Sequence, residues 1–282
     1  RQHALALAAR GAAVVVNDLG GTLEGSGGTA KAAEAVAAEI RAAGGKAIAN
    51  GASVTDLPAV QAMVDAAMAE WGRVDILVNN AGILRDKSFA KMELADFRLV
   101  LDVHLMGAVH CCKAVWEIMR SRNYGRIVMT TSSSGLYGNF GQSNYGAAKM
   151  ALVGLMQTLS IEGAKHDIRV NCLAPTAATR MTENLMPATV LALLEPEAVT
   201  PGLIALVADD APNRTILCAG AGSYECAHVT LTQGIHVGNG ADAAEKIAAS
   251  MGAISDRDGE TVPQSGSAQG TLEIGKATAA SR

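Results

Sequence analysis

Residues 126–150 have the sequence RIVMTTSSSGLYGNFGQSNYGAAKM, and this stretch carries the strongest fold signal in the chain. The apolar run at 127–129 predicts a buried strand, and the Ser- and Gly-rich segment at 131–135 predicts a loop after it. Apolar side chains at helical spacing follow Tyr145, among them Leu152, Leu155 and Met156. The stretch therefore predicts one strand–loop–helix unit of an α/β fold.

The same alternation continues on both sides of this unit. Short apolar runs without polar alternation predict parallel strands that are covered on both faces. Between them, apolar residues recur at helical spacing, as along one long helix from Phe97 to Met119. This order predicts an α/β fold with a doubly wound parallel sheet of the Rossmann type. The predicted strands lie at 13–16, 47–49, 76–78, 127–129, 168–172 and 216–218.

The composition favours a globular chain with a large core. Of the 282 residues, 49% are hydrophobic and 18% are charged, and the formal net charge is −4. These proportions exclude a disordered chain, and the acidic balance argues against a nucleic-acid partner. We identify no apolar run that predicts a membrane span. The five cysteines have no C-x-x-C spacing, so we predict no metal site and expect reduced thiols in the cytoplasm.

The two ends of the chain predict a domain without its opening segment and with an extension. Residues 3–10 have a helical pattern where a doubly wound domain has a strand and a Gly-rich turn. We therefore expect a first strand and a Gly-rich turn upstream of Arg1, and a cofactor-binding catalytic domain over 1–222. Residues 223–282 are predicted to form a C-terminal extension, with a hairpin at 229–231 and 235–237 and a flexible tail from Ser255.

Ser132, Tyr145 and Lys149 are the candidate catalytic residues. Tyr145 and Lys149 lie four residues apart and so share one helix face. A neighbouring ammonium stabilises a phenolate, so we expect Lys149 to lower the pKa of Tyr145. Tyr145 would then exchange a proton with a substrate oxygen that Ser132 also binds. A surface pair beside a loop is the alternative interpretation.

Two further signals lie at predicted strand ends. The small residues in Asn79-Asn80-Ala81-Gly82 allow a ligand to approach the backbone at the carboxyl edge of the sheet. Asp18 follows another strand, and its carboxylate is suited to both ribose hydroxyls of a dinucleotide and repels a 2′-phosphate. This favours NAD over NADP. Ordinary turns are the alternative at both places.

Four motifs together resemble the short-chain dehydrogenase/reductase family, in its order and spacing over about residues 1–220. The resemblance implies a Rossmann-type fold, a nicotinamide cofactor, and Ser132, Tyr145 and Lys149 as the catalytic set. The motifs are Asn79-Asn80-Ala81-Gly82, Ser132 thirteen residues before Tyr145, Tyr145-x-x-x-Lys149 and Asn171-x-x-x-Pro175.

Narrower stretches resemble the (3R)-hydroxyacyl-CoA dehydrogenase unit of type 2 peroxisomal multifunctional enzymes and its single-domain bacterial relatives. They are NDLGG at 17–21, GILRD at 82–86, YGNFGQ at 137–142 and RMT at 180–182. This likeness implies NAD as cofactor and oxidation of a (3R)-3-hydroxyacyl-CoA to the 3-oxoacyl-CoA, or the reverse. The implied cofactor contacts are Asp18, Ser53, Val54, Asn79, Ala81, Gly82, Tyr145, Lys149, Pro175 and Thr179.

Three positions depart from the family pattern. The Gly-rich phosphate turn is absent, since Arg1 aligns just after its last glycine. His104 stands where many members have an Asn that supports a water-linked proton relay. His104 is therefore either a fourth catalytic residue or a packing residue near Lys149. Ala52 replaces an Asp that is common in the branch.

Other functions remain open from the sequence alone. The same hydride chemistry on a 3-oxoacyl carrier protein, a steroid or a secondary alcohol would use the same catalytic residues. A non-catalytic member of the family is a further alternative, against which the intact Ser132, Tyr145 and Lys149 argue. Met181, Leu185 and Met186 predict either an acyl pocket or ordinary helix core.

The resemblance also implies a homodimer or homotetramer. It would be built on the long helices around Leu101 and Leu152, whose exposed apolar faces need a partner.

Overall fold

Strands and helices alternate along the computed structural model, which describes residues 1–22, 28–179 and 187–281. The strands are β1 (Ala13–Asn17), β2 (Lys46–Asn50), β3 (Ile76–Asn79), β4 (Gly125–Thr130), β5 (Ile168–Thr176), β6 (Ile216–Gly220) and β7 (Ser223–Ala227). The helices are α1 (Gln2–Ala8), α2 (Lys31–Ala42), α3 (Leu57–Trp71), α4 (Leu94–Leu101), α5 (Gly107–Arg122), α6 (Ser133–Tyr137), α7 (Ser143–Gly163), α8 (Ala188–Leu191), α9 (Thr200–Val207), α10 (Ala243–Ala249), α11 (Met251–Ile254) and α12 (Ser267–Ala280).

All six predicted strands are confirmed. Together with β7, which was not predicted, they form a two-stranded sheet, β1-β2, and a five-stranded sheet in the order β3-β4-β5-β6-β7. The β1–β2, β3–β4, β4–β5 and β5–β6 pairs are parallel, with helices between successive strands. The predicted α/β fold with a doubly wound parallel sheet is confirmed.

The core lies around β4 and β5. All six residues of β4 are buried, and Val128 and Leu173 pack in one cluster with Leu203 and Leu206 of α9. Both α5 and α7 also pack against this sheet. Parallel strands covered by helices are apolar throughout, which is why the runs at 127–129 and 168–172 were readable in the sequence.

Two edge strands, β1 and β3, lack a second neighbour. Neither strand contributes a buried residue. Within the described ranges, β1 pairs only with β2, and β3 pairs only with β4. The first strand and Gly-rich turn expected before Arg1 stay a prediction.

Local signals explain where helices begin and end. The Asp56 carboxylate caps α3 by accepting a hydrogen bond from the Ala59 N–H at 3.2 Å, with Pro58 in the first turn. Gly72 ends the helix in the left-handed region at φ 70°. The long helix predicted from Phe97 to Met119 is α4 and α5 joined by a π-helical segment, Asp102–Met106.

The domain boundary differs from the one predicted after residue 222. The chain divides into two units, Arg1–Cys226 and Ala227–Arg282. The boundary is later because β7 continues the sheet beside β6, across a two-residue turn with positive φ at Ala221 and Gly222. The hydroxyl of Tyr224 on β7 also donates to the Ala198 carbonyl at 2.7 Å.

Two predictions for the C-terminal unit were wrong in detail. The hairpin lies at β6–β7, and Leu231 instead forms an isolated antiparallel bridge with Thr261. The segment predicted as a flexible tail contains α12. Its Ala, Leu, Lys and Glu residues are good helix formers, and their propensity outweighs the two glycines within the helix.

The apolar surface of the long helices also differs from the prediction. Leu152 is only 2% exposed, because it belongs to the chain's own core. The large apolar side chains that α7 leaves exposed are Met150 and Ile161, and Ile161 lines a surface groove with Trp116. The predicted homodimer or homotetramer stays a prediction, with these residues in place of Leu152.

Two described segments, Leu94–Arg122 and Thr189–Val207, are long and apolar enough to cross a membrane by length and composition. This is weak evidence, because core helices of globular domains satisfy the same test. The first segment includes α5, which packs against β3 and β4.

Candidate active site

The candidate residues gather at the carboxyl edge of the parallel sheet. Register pairs Asn79 at the end of β3 with Met129 of β4, and Thr130 of β4 with Leu173 of β5. Ser132 follows β4 by two residues, and Asp18 follows β1 directly. Since ligands bind beyond the carboxyl ends of strands in such folds, the sheet places these residues where a site is expected.

Ser132 and Tyr145 are brought together as predicted. Ser132 caps α6, where its Oγ accepts from the Ser134 N–H at 3.2 Å. Tyr145 lies in the first turns of α7, and the Ser132 hydroxyl lies close enough to the Tyr145 phenol to lower its pKa. Two hydroxyls at one point can bind the same substrate oxygen.

The pKa of Tyr145 differs from the prediction of a lowered value. Burial raises the pKa, the nearby Ser132 hydroxyl lowers it, and the negative charge of Asp86 raises it further. The net direction is upward. The structure thus couples Tyr145 to the negative charge of Asp86, a role that was not predicted for this residue.

Lys149 lies behind Tyr145 and is buried. Its Nζ lies 5.4 Å from the centroid of the Tyr145 ring and donates to the Thr130 carbonyl at 2.6 Å. The Thr131 hydroxyl donates to the Lys149 carbonyl at 2.7 Å, which fixes α7 against the end of β4. Burial lowers the pKa of Lys149 to about 7, so the ammonium and the neutral amine both exist near neutral pH.

His104 completes the set from the π-helical segment. Its ring meets the Tyr145 ring edge-on, with centroids 5.2 Å apart and an interplanar angle of 87°. Its Nε2 lies 2.9 Å from the Ile83 carbonyl oxygen. Burial and the nearby Lys149 lower the pKa of His104 to about 3, so the imidazole is neutral. Its Nδ1 is buried without a hydrogen-bond partner in the described chain, and a bound water would supply that partner.

Sequence reasoning missed a polar network that holds the mouth of the site. Gln142, three residues before Tyr145, donates from Nε2 to Asp86 Oδ2 at 2.6 Å. Its Oε1 accepts from the Ser134 hydroxyl at 2.8 Å. Asn144 donates to the Arg85 carbonyl at 2.9 Å. These side chains join the loop after β3 to the start of α7. In the sequence, the only sign of this network was that several of its residues lie within the stretches 82–86 and 137–142.

The predicted cofactor residues lie along the same edge. Asp18 is exposed, and one of its carboxylate oxygens accepts from the Gly20 N–H at 2.7 Å. The loops after β1 and β2 adjoin, since Asn17 Nδ2 donates to the Ala52 carbonyl at 3.2 Å. Asn17 Oδ1 is buried without a partner in the described chain. A free carboxylate oxygen and an unsatisfied amide oxygen suit the hydroxyls of a dinucleotide.

Other predicted cofactor residues make contacts within the protein itself. The Asn79 amide points to sulfur, at 3.5 Å from Cys112 Sγ and 3.3 Å from Met129 Sδ. The Val54 carbonyl accepts from His110 Nδ1 at 2.8 Å, and the Ser53 hydroxyl lies 2.8 Å from that of Thr55. The remaining predicted contacts at the carboxyl edge are Ala81, Gly82, Pro175 and Thr179.

Part of the predicted site falls outside the described residues. Arg180, Met181 and Thr182 lie there, as do Leu185 and Met186. In the part of the chain that the structure describes, no cluster of His, Cys, Asp or Glu is arranged to hold a metal ion.

Comparison with known proteins identifies the family. A family model described as short chain dehydrogenase matches residues 1–189. The peroxisomal hydratase-dehydrogenase-epimerase of Saccharomyces cerevisiae is 56% identical over 199 residues, which are 71% of this chain and 22% of that protein. The chain thus spans less than a quarter of that relative's length.

Two solved structures are similar. Full-length peroxisomal multifunctional enzyme type 2 from Drosophila melanogaster superposes with a TM-score of 0.80 and 34% identity, over 99% of this chain and 47% of that chain. A 7α-hydroxysteroid dehydrogenase complexed with NADH and 7-oxo glycochenodeoxycholic acid superposes with a TM-score of 0.70 and 28% identity, over 79% and 88% of the two chains. With its parallel sheet and its Ser132, Tyr145 and Lys149 at the carboxyl edge, this chain belongs to the short-chain dehydrogenase family of oxidoreductases.

Proposed function

We propose that the chain is an NAD-dependent dehydrogenase that oxidises the 3-hydroxyl of a (3R)-3-hydroxyacyl-CoA to the 3-oxoacyl-CoA, or catalyses the reverse. The observation that carries the proposal is the grouping of Ser132 and Tyr145 at the carboxyl edge of the sheet, with the Nζ of the buried Lys149 5.4 Å from the centroid of the Tyr145 ring. The yeast relative is named a hydratase-dehydrogenase-epimerase, which supports a dehydrogenase role, and the likeness of the stretches at 17–21, 82–86 and 137–142 to the (3R)-hydroxyacyl-CoA dehydrogenase unit supports the acyl-CoA class.

Proton transfer falls to Tyr145. In the oxidation direction, the phenolate takes the proton of the substrate 3-hydroxyl, while the Ser132 hydroxyl holds the same oxygen in place. The residues at the carboxyl edge of the sheet would hold the nicotinamide, which when bound would supply an acceptor for the hydride that leaves C3. In reduction, Tyr145 returns the proton to the oxygen that forms.

Lys149 and His104 assist the proton transfer by Tyr145. The Lys149 ammonium stabilises negative charge that develops on Tyr145, and its pKa near 7 lets it give up or regain a proton in the working pH range. His104 presents its unpartnered Nδ1 from the wall of the site, where a bound water would link these groups to solvent.

The NAD preference rests on Asp18. The free oxygen of its carboxylate would bind the adenosine ribose, and its negative charge would repel the 2′-phosphate of NADP. We expect Asp18→Ala to raise kcat/KM with NADP relative to NAD. An unchanged ratio would contradict this role.

The first experiment follows NADH formation from (3R)- and (3S)-3-hydroxyacyl-CoA in the full natural chain. We expect turnover of the (3R) thioester only, and a loss of roughly 10³-fold in kcat for Tyr145→Phe with NADH binding retained. Tyr124→Phe is the matched control, because the Tyr124 hydroxyl bonds Asp209 at the opposite edge of the sheet.

Activity of Tyr145→Phe within tenfold of the parent would overturn the mechanism. If neither thioester is oxidised by a protein that binds NADH, the substrate is another alcohol, with steroids the first class to try.

A further inference from the structure

Two exposed phenylalanines and two lysines form what we call the aromatic–basic rim: Phe89, Phe140, Lys87 and Lys91. The chain has only three phenylalanines, and these two are 77% and 91% exposed. Exposed apolar patches rimmed by polar residues mark sites where a protein or a ligand binds.

The rim lies on the two loops that frame Tyr145. The Lys87 N–H donates to the Gly141 carbonyl at 2.9 Å, one residue from Phe140. The bond from Gln142 to Asp86 joins the same loops. Gln142 lies one helical turn before Tyr145 and binds the loop that contains Lys87 and Phe89. The rim therefore lies next to the catalytic residues without including any of them.

The rim is also cationic within an acidic chain. Lys87 and Arg85 share Asp96, at 3.3 and 2.8 Å, and Lys91 forms no ion pair within the described residues. Residues 84–98 contain four cationic and three acidic side chains, although the whole chain has a net charge of −4. The rim is therefore suited to an anion that also presents a flat ring.

We propose that the aromatic–basic rim binds the nucleotide end of a CoA thioester, with adenine against the phenylalanine rings and phosphate beside Lys91 and Lys87. Aromatic faces stack on purines, and lysines bind phosphate as point charges. The pantetheine arm separates the nucleotide of CoA from its thioester, so a nucleotide site on the outer loops is compatible with the thioester at Tyr145. This inference rests on the proposed acyl-CoA function.

The test compares two thioesters of the same (3R)-3-hydroxyacyl group in the full natural chain: the CoA thioester and the N-acetylcysteamine thioester, which has no nucleotide. We expect Phe89→Ala and Lys91→Ala each to lower kcat/KM for the CoA thioester roughly tenfold, through KM. The value for the short thioester should not change. Lys46→Ala, an exposed lysine at the amino end of β2, is the matched control.

Adenosine 3′,5′-bisphosphate is a direct probe. It should inhibit the parent competitively against the CoA thioester and inhibit both variants more weakly.

The outcomes separate the two proposals. If the parent oxidises neither thioester, the proposed function has failed. If the parent oxidises the CoA thioester and the variants match it, or lose both thioesters equally, the rim proposal is overturned. An equal loss with a change of oligomeric state by light scattering assigns the rim to contact between copies of the chain.

Discussion

Gly82 and His104 fix the wall of the site at close range. A Cβ on Gly82 would lie 2.3 Å from His104 Cε1, so no other residue fits without moving the imidazole. The histidine is in turn held by Ile83 and faces the Tyr145 ring. The glycine of the Asn79-Asn80-Ala81-Gly82 motif thus makes room for a histidine 22 residues later.

Asp86 is expected to influence the pH at which Tyr145 loses its proton. The groups that face Tyr145 are Ser132, Lys149, His104 and Asp86, and among them Asp86 raises its pKa by negative charge. Asp86→Asn keeps an acceptor for Gln142 but removes the charge, so the pKa of Tyr145 should fall. The phenolate then forms at lower pH, and the acidic limb of the kcat/KM profile for oxidation should move to lower pH.

Asp96→Asn is the control for this prediction. It removes an equal charge from the same segment, but Arg85 and Lys87 already neutralise Asp96. A pH profile that is identical in Asp86→Asn and the parent would show that Asp86 acts only as an anchor for Gln142.

At the residue scale, the sequence predicted the site residues that lie close together along the chain. Ser132, Tyr145 and Lys149 belong to one strand–loop–helix unit, so local pattern brings them together. Asp86 is 59 residues from Tyr145, and only the packing of the loop after β3 reveals its contribution. The direction of the Tyr145 pKa was predicted wrongly because burial cannot be read from spacing.

The elements at the amino edge of the sheet are joined by one buried arginine. Arg126 is 1% exposed, and all five of its N–H donors are used. They bind Asp209, Ala208, Gly125 and Asp167, which connects β4 to the start of β5 and the end of α9. Its guanidinium also lies 4.3 Å from the Tyr124 ring centroid.

We expect Arg126→Ala to lower the free energy of unfolding by roughly 2–4 kcal/mol, because it leaves several carbonyl groups without their donor. Chemical denaturation measures this. Arg73→Ala is the matched control, since its ion pair with Asp75 lies at the surface and its loss should lower the free energy of unfolding far less. Equal losses in the two variants would contradict the argument.

At the element scale, prediction succeeded for strands that are buried on both faces of the sheet. The strands β4 and β5 are such cases. The π-helical segment at Asp102–Met106 leaves the helical apolar period almost unchanged, so it was not visible in the sequence. The helix α12 was missed because polarity and small residues were weighed above helix propensity.

At the scale of the whole molecule, the chain divides into two units, and the first contains the doubly wound sheet. The doubly wound sheet followed from repeated strand–helix alternation, and the later boundary at Cys226 depends on β7, whose residues are mostly exposed. Exposed edge strands lack a buried apolar run, so sequence pattern alone placed the end of the first unit too early.

The unpaired edges of β1 and β3 have a consequence for the behaviour of residues 1–282 on their own. Within the described residues each of these apolar strands pairs on one side only, and such edges template pairing with other chains. We expect a chain of these residues alone to aggregate as its concentration rises, which light scattering across a dilution series would measure. A monodisperse solution at every concentration would contradict this. A β-forming peptide added in excess should pair with these edges and keep that chain soluble.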